Sequence, residues 1–221
     1  MKLYNEVYDE SKLIAWVDLS TYCNAACPQC HRTCSDGSKV DWLPLIQWDL
    51  ETFKKAFSLK EILHYSEFEM CGTWGDPVMN KDIFEIVSYI LKHSTANIKI
   101  NTNGSLRDEH WWWKLGSIGG KRLSVWFDVD GITQEMHERY RQKTDLEKIK
   151  HNIEAFCSTD AISNVMTIVF KHNQNHLKEI EEMVREWGIN GEVVSVPSNR
   201  FDDEEINTYD NGIVLEKADG Y

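Results

Sequence analysis

Long apolar runs are missing from this 221-residue sequence: none approaches the ~20 residues that a membrane-crossing helix needs, so a spanning protein is not expected. Basic residues are in short supply. There are 24 Lys and Arg against 36 Asp and Glu, a formal net charge of -12. A surface that negative repels phosphate backbones and anionic lipid, so neither nucleic acid nor a membrane is an expected partner. No secretory leader pattern opens the sequence, which predicts reduced thiols in a cytoplasmic protein rather than a disulfide framework. The last stretch, Asn199 to Tyr221, contains no cysteine.

What is present suits one large soluble domain, with 42% hydrophobic and 27% charged residues. The chemistry concentrates in Ser20 to His31, where Cys23, Cys27 and Cys30 follow the spacing CxxxCxxC. An apolar, β-prone run from Leu13 to Leu19 leads into it and reads as a buried strand. Thiolates are the usual ligands of iron–sulfur clusters, and a four-iron cube held by three of them keeps one iron free. Zinc is the other reading. His31 would complete a set of three thiolates and one imidazole, Cys34 an all-thiolate set, and spacing alone leaves this open.

Further strands are expected at Phe68–Cys71, Asn97–Ile100, Leu123–Gly131 (with an acidic tail), Val165–Phe170 and Val193–Val196, alternating with helical patterns at 49–59, 81–93, 108–115, 146–157 and 176–187. That alternation gives an α/β fold, a partial (β/α)6 TIM-like barrel, in which functional groups gather at the strand C-terminal ends. Cys23 to Cys30, Gly75, Asn103, Asp128, Lys171 and Pro197 all fall there. Trp111 to Trp113 is expected to be a core seam before a partner surface or a ligand wall, and Cys157 a core residue on a helix face. Residues 1–197 form the barrel in this reading. Residues 198–221 form a short acidic extension with a hairpin around Asp210-Asn211-Gly212. Local chemistry also admits plain alternatives: a strand-to-helix turn at Gly72 to Pro77, a hairpin at Asn103-Gly104, and a solvated face at Met136 to Arg141.

Taken in order, these segments resemble the radical S-adenosylmethionine (radical SAM) superfamily over residues 13 to 197, with a motif order most like its peptide- and protein-modifying maturases. The resemblance implies that Cys23, Cys27 and Cys30 ligate three irons of a [4Fe–4S] cluster, and that S-adenosylmethionine chelates the fourth. Trp74-Gly75-Asp76-Pro77 matches the family's Gly-Gly-Glu-Pro motif, with Gly75 and Asp76 near the cofactor's ammonium. Thr102 and Asn103 would lie near its methionine end, Asp128 near its ribose, and Arg141 against its carboxylate. Gln29 stands where relatives carry an aromatic residue. The SPASM or twitch extensions of those maturases hold auxiliary clusters, for which this tail has no thiols.

The implied chemistry is reduction of the cluster by a flavodoxin- or ferredoxin-like donor, cleavage of the cofactor to a 5′-deoxyadenosyl radical, and hydrogen abstraction from a substrate. A peptide or protein is the first expectation for that substrate. A small molecule, as in deazaguanine-carboxylate synthases, is the second, and a plain iron–sulfur electron carrier is the rival outside enzymology. The Thr33 to Trp48 loop and the acidic tail are candidate lids.

Overall fold

The computed structural model describes residues 13–201 and 214–220. Six strands, β1 (Ile14–Trp16), β2 (Glu67–Met70), β3 (Asn97–Thr102), β4 (Leu123–Asp128), β5 (Ile162–Val169) and β6 (Val193–Pro197), form one sheet in sequence order. Every pairing is parallel. The helices are α1 (Leu50–Ala56), α2 (Ile83–His93), α3 (Glu109–Gly119), α4 (Gln134–Glu138), α5 (Leu146–Cys157) and α6 (Leu177–Glu186). β1 and β6 pair with β2 and β5 alone among the described strands, so the barrel is open on that side.

Short polar residues start α1, α3 and α5 by accepting a backbone N–H of the first turn. Asp49 takes Thr52 N at 2.7 Å, Asp108 takes Trp111 N at 2.8 Å, and Asp145 takes Lys148 N at 3.0 Å. The apolar faces then close on the outside of the sheet. Phe68, Ile98, Ile100, Val125 and Phe127 are fully buried against Ile86, Ile90, Trp112, Ile149, Ile153 and Phe156. Of the three consecutive tryptophans only Trp112 is sealed in; Trp111 packs on Phe84, and Trp113 is exposed. Helix geometry sends neighbouring side chains to different faces, so a run of three cannot form one seam.

The inner face of the sheet is different. Lys99 lies 3.1 Å from Glu69 and 5.5 Å above the Trp126 ring, while Asn101 Nδ2 donates to Glu69 Oε1 at 3.0 Å. The filled layers of branched apolar side chains usual in a closed barrel are replaced here by charge and aromatics. The Thr33 to Trp48 segment is irregular and docks at the end of β1, where Thr21 N donates to Ile46 O and Trp48 N to Leu19 O, each at 3.0 Å. Lys171 turns away to Glu216, as its backbone N–H does at 3.0 Å, which ties residues 214–220 to the turn after β5. The expected hairpin falls mainly on residues 202–213, outside the described residues.

Candidate active site

The loops at the C-terminal ends of the strands enclose a cavity of about 290 Å³. Cys23, Cys27 and Cys30 line it together with Gly75, Asp76, Thr102, Asn103, Asp128 and Arg141. All nine residues singled out by sequence therefore meet in one place. The cavity also takes in Arg32, Tyr140 and Arg200. Cys34 and Cys71 are not among its lining residues.

Asp76 is the knot of the site. Its own N–H donates to Tyr22 O in the cysteine loop at 2.7 Å. Its buried carboxylate accepts from Thr102 Oγ1 at 3.0 Å, Asn103 N at 3.0 Å, Asn103 Nδ2 at 2.6 Å and Val78 N at 3.0 Å. Burial nevertheless pushes its pKa up, with these donors pulling the other way. One residue thus binds three segments together, its backbone N–H holding the cysteine loop and its carboxylate holding the end of β3 and the turn Pro77–Met79. Gly75 permits the approach: a Cβ there would meet Ser20 O at 2.2 Å and Tyr22 O at 2.7 Å, both fixed backbone atoms.

On the opposite wall, Arg141 is forked between two carboxylates. Its Nη1 lies 2.9 Å from Asp128 Oδ2, and its Nε lies 2.6 Å from Asp130 Oδ2. Burial raises Asp128 to about 7 even beside that guanidinium, because Asp130 shares the same positive charge and adds its own repulsion. Asp130 also accepts Ile168 N, at 2.6 Å. Behind it, His137 Nδ1 accepts Asp130 N at 3.1 Å, and Nε2 faces Thr144 Oγ1 at 3.0 Å, whose hydroxyl donates to Arg141 O at 2.6 Å. Burial first, and then the charge of Arg141, lower His137 to about 3, so it stays a neutral, fixed strut.

The thiols sit against a small apolar cluster of Ala25, Tyr140 and Phe170, apart from the main core. Burial pushes Cys23 up to about 12, with Asp76 adding to the shift, and burial likewise raises Cys27. Such thiols ionise when a metal displaces the proton. Among the described residues, no group of three or more His, Cys, Asp or Glu could hold a single metal ion. A cube spreads its thiolates over separate irons, an arrangement that three thiols lining a shared cavity fit. Gln29, in the position expected to be aromatic, accepts Ser198 Oγ through its side-chain oxygen at 2.6 Å, and Arg200 Nη1 donates to its backbone O at 3.3 Å. It therefore ties the cysteine loop to the end of β6, across the open side.

Sequence reasoning missed Arg32, Arg200 and the partnership of Asp130 with Arg141. Arg32 stands two residues past Cys30 and could have been flagged by that proximity. Arg200 gives no local signal, since it reaches the cavity only because β6 ends opposite Gln29.

Residues 17–185 match the family model described as the radical SAM superfamily. The chain belongs to this superfamily, a superfamily of enzymes. Among curated relatives it is 29% identical over 168 residues to a probable GTP 3′,8-cyclase of Methanothermobacter thermautotrophicus, covering 75% of this chain and 52% of that one. It is 27% identical over 174 residues to a cysteine-type anaerobic sulfatase-maturating enzyme of Clostridium novyi, covering 73% and 44%. The chain thus spans about half the length of the curated relatives it matches. Among solved structures, anSMEcpe with bound AdoMet superposes with a TM-score of 0.64 at 19% identity, over 83% of this chain and 50% of that one. Streptococcus suis SuiB bound to S-adenosylmethionine gives 0.66 at 11%, over 89% and 43%. At those identities the structures establish the fold, an open partial TIM barrel.

Proposed function

We propose that the chain acts as a radical SAM enzyme on a peptide or protein. Cys23, Cys27 and Cys30 hold a [4Fe–4S] cluster, while Gly75, Asp76, Thr102, Asn103, Asp128 and Arg141 hold S-adenosylmethionine. The observation that carries this reading is the meeting of those nine residues, from four strand ends and the turn after α4, in one cavity. A bare electron carrier needs thiols but has no use for the polar groups gathered beside them. When bound, the cluster and S-adenosylmethionine supply one-electron C5′–S cleavage and a carbon radical that takes hydrogen from a substrate. The protein fixes positions. Asp76 clamps the cysteine loop to β3, Asp130 and His137 set the Arg141 fork, and Tyr140 with Phe170 keeps water from the thiols.

The peptide reading draws on the motif order and on the maturase relative. A small-molecule substrate is the second reading, favoured by the match to GTP 3′,8-cyclases. In either case a flavodoxin- or ferredoxin-like donor supplies the electron, and six free thiols fit a reducing, cytoplasmic setting. Residues 1–197 serve as the catalytic barrel and 198–221 as an acidic extension. Anaerobic reconstitution followed by S-adenosylmethionine and dithionite should yield 5′-deoxyadenosine from wild type and none from Cys27→Ala. Equal yields would end the assignment. Mass spectrometry of co-purifying material then separates the substrate classes, a peptide supporting the first and a nucleotide or other metabolite the second.

A further inference from the structure

Three guanidiniums line the cavity, and they are not equivalent. Arg141 is neutralised by Asp128 and Asp130. Arg32 has no such partner. It is only 7% exposed, its Nη2 donates to Thr21 O at 3.1 Å, and its Nε is buried with no hydrogen-bond partner. No carboxylate among the described residues pairs with it. A buried charge is ordinarily paired, because removing it from water is costly unless an opposite charge compensates. The cavity that Arg32 lines is therefore built for an anion. The thiols are the groups at hand: Arg32 stands two residues from Cys30 and lines the same cavity as Cys23, Cys27 and Cys30.

We propose that Arg32 is the buried counter-cation of the iron–sulfur cluster, a positioning residue that raises the cluster's reduction potential. The inference rests on the cluster assignment made above. Three thiolates outnumber the two positive charges of an oxidised four-iron core, so the assembly is an anion, and an added electron deepens its charge. A fixed cation beside it stabilises the reduced form more than the oxidised form. Arginine suits the task because its guanidinium stays protonated when buried. Arg141 cannot serve equally, with its charge already committed. Arg200 is half-buried and donates to Gln29 O, so water screens it more.

The test is an EPR-monitored redox titration of anaerobically reconstituted wild type, Arg32→Gln, Arg32→Lys and Arg200→Gln, without S-adenosylmethionine or substrate. Arg32→Gln keeps a donor for Thr21 O and removes the charge. It should lower the equilibrium constant for one-electron reduction at least tenfold, about 59 mV. Arg32→Lys should stay near wild type, and Arg200→Gln should shift less than Arg32→Gln. A full cluster at the wild-type potential in Arg32→Gln overturns the proposal, as does a larger shift from Arg200→Gln. If Arg32→Gln takes up no cluster while Arg32→Lys keeps it at the wild-type potential, charge alone separates them and the proposal stands. If both fail, Arg32 is a structural tie to Thr21 and the proposal falls. Wild type that takes up no four-iron cluster would instead defeat the reading of the site itself.

Discussion

Among the described residues there are two apolar interiors, and they are built on different terms. The large one, between the sheet and its helices, is sealed by side chains such as Phe68, Trp112 and Phe156, and shape is nearly all it asks for. The small one, around Ala25, Tyr140 and Phe170, backs the thiols beside a cavity lined by Asp76, Asp128, Arg32 and Arg141, with Asp130 paired to Arg141. Buried charge there must be matched group by group. The first interior holds the fold; the second holds a geometry that the fold alone would not require. Substitutions should therefore separate into those that remove stability and those that remove the site from a stable protein.

The largest loss should come from the first interior. Trp112 is fully buried, packs on Phe127 and donates its indole N–H to Leu106 O at 2.9 Å. Trp112→Ala should cost about 3–5 kcal/mol by chemical denaturation, enough to unfold much of the population. Gly75→Ala is the counterpart in the second. Its Cβ would strike the backbone of Ser20, Thr21 and Tyr22, so the cysteine loop must shift. The expected result is loss of most iron uptake, with far-UV circular dichroism close to wild type. A Gly75→Ala protein that binds iron fully would show that the loop is not held by this contact. Asp76→Asn should be intermediate. It sets an amide against donors from Thr102 and Asn103, so a loss of about 1–3 kcal/mol is expected. S-Adenosylmethionine affinity, read by equilibrium dialysis, should fall by about tenfold or more.

The two interiors were also unequally legible. Periodicity exposed the first: Leu146, Ile149, Ile153 and Phe156 recur at helix spacing, and α5 runs from Leu146 to Cys157 as that pattern requires. Spacing exposed the thiols and the order of loops, since strand ends of a parallel sheet share one rim. Pairing within the rim was hidden. Asp130 and Arg141 are eleven residues apart with α4 between them, and no local rule joins them. Arg141, expected against the cofactor's carboxylate, is forked between two carboxylates of the protein itself. The tie from Gln29 to Ser198 joins residues 169 apart in sequence, so no local pattern could reveal it.

The smallest effect is the most specific test of the second interior. Asp128 has a pKa of about 7 in the folded chain, raised from an ordinary 3.8 by burial. Its proton is thus held more tightly in the native state than in the unfolded state, and stability falls as pH rises across that interval. The contribution is fully present below the unfolded value and is lost as pH rises through the folded one. Asp128→Asn cannot titrate, so the stability gap between variant and wild type should move in the variant's favour by about 1 kcal/mol between roughly pH 6 and pH 8. Urea midpoints of the metal-free proteins at the two pH values measure it, with Trp112→Phe as a control from the first interior whose gap should not move. A gap for Asp128→Asn that stays constant would mean that Arg141 keeps Asp128 ionised throughout. The fork would then be a permanent ion triad in which Asp130 does not compete with Asp128 for the guanidinium.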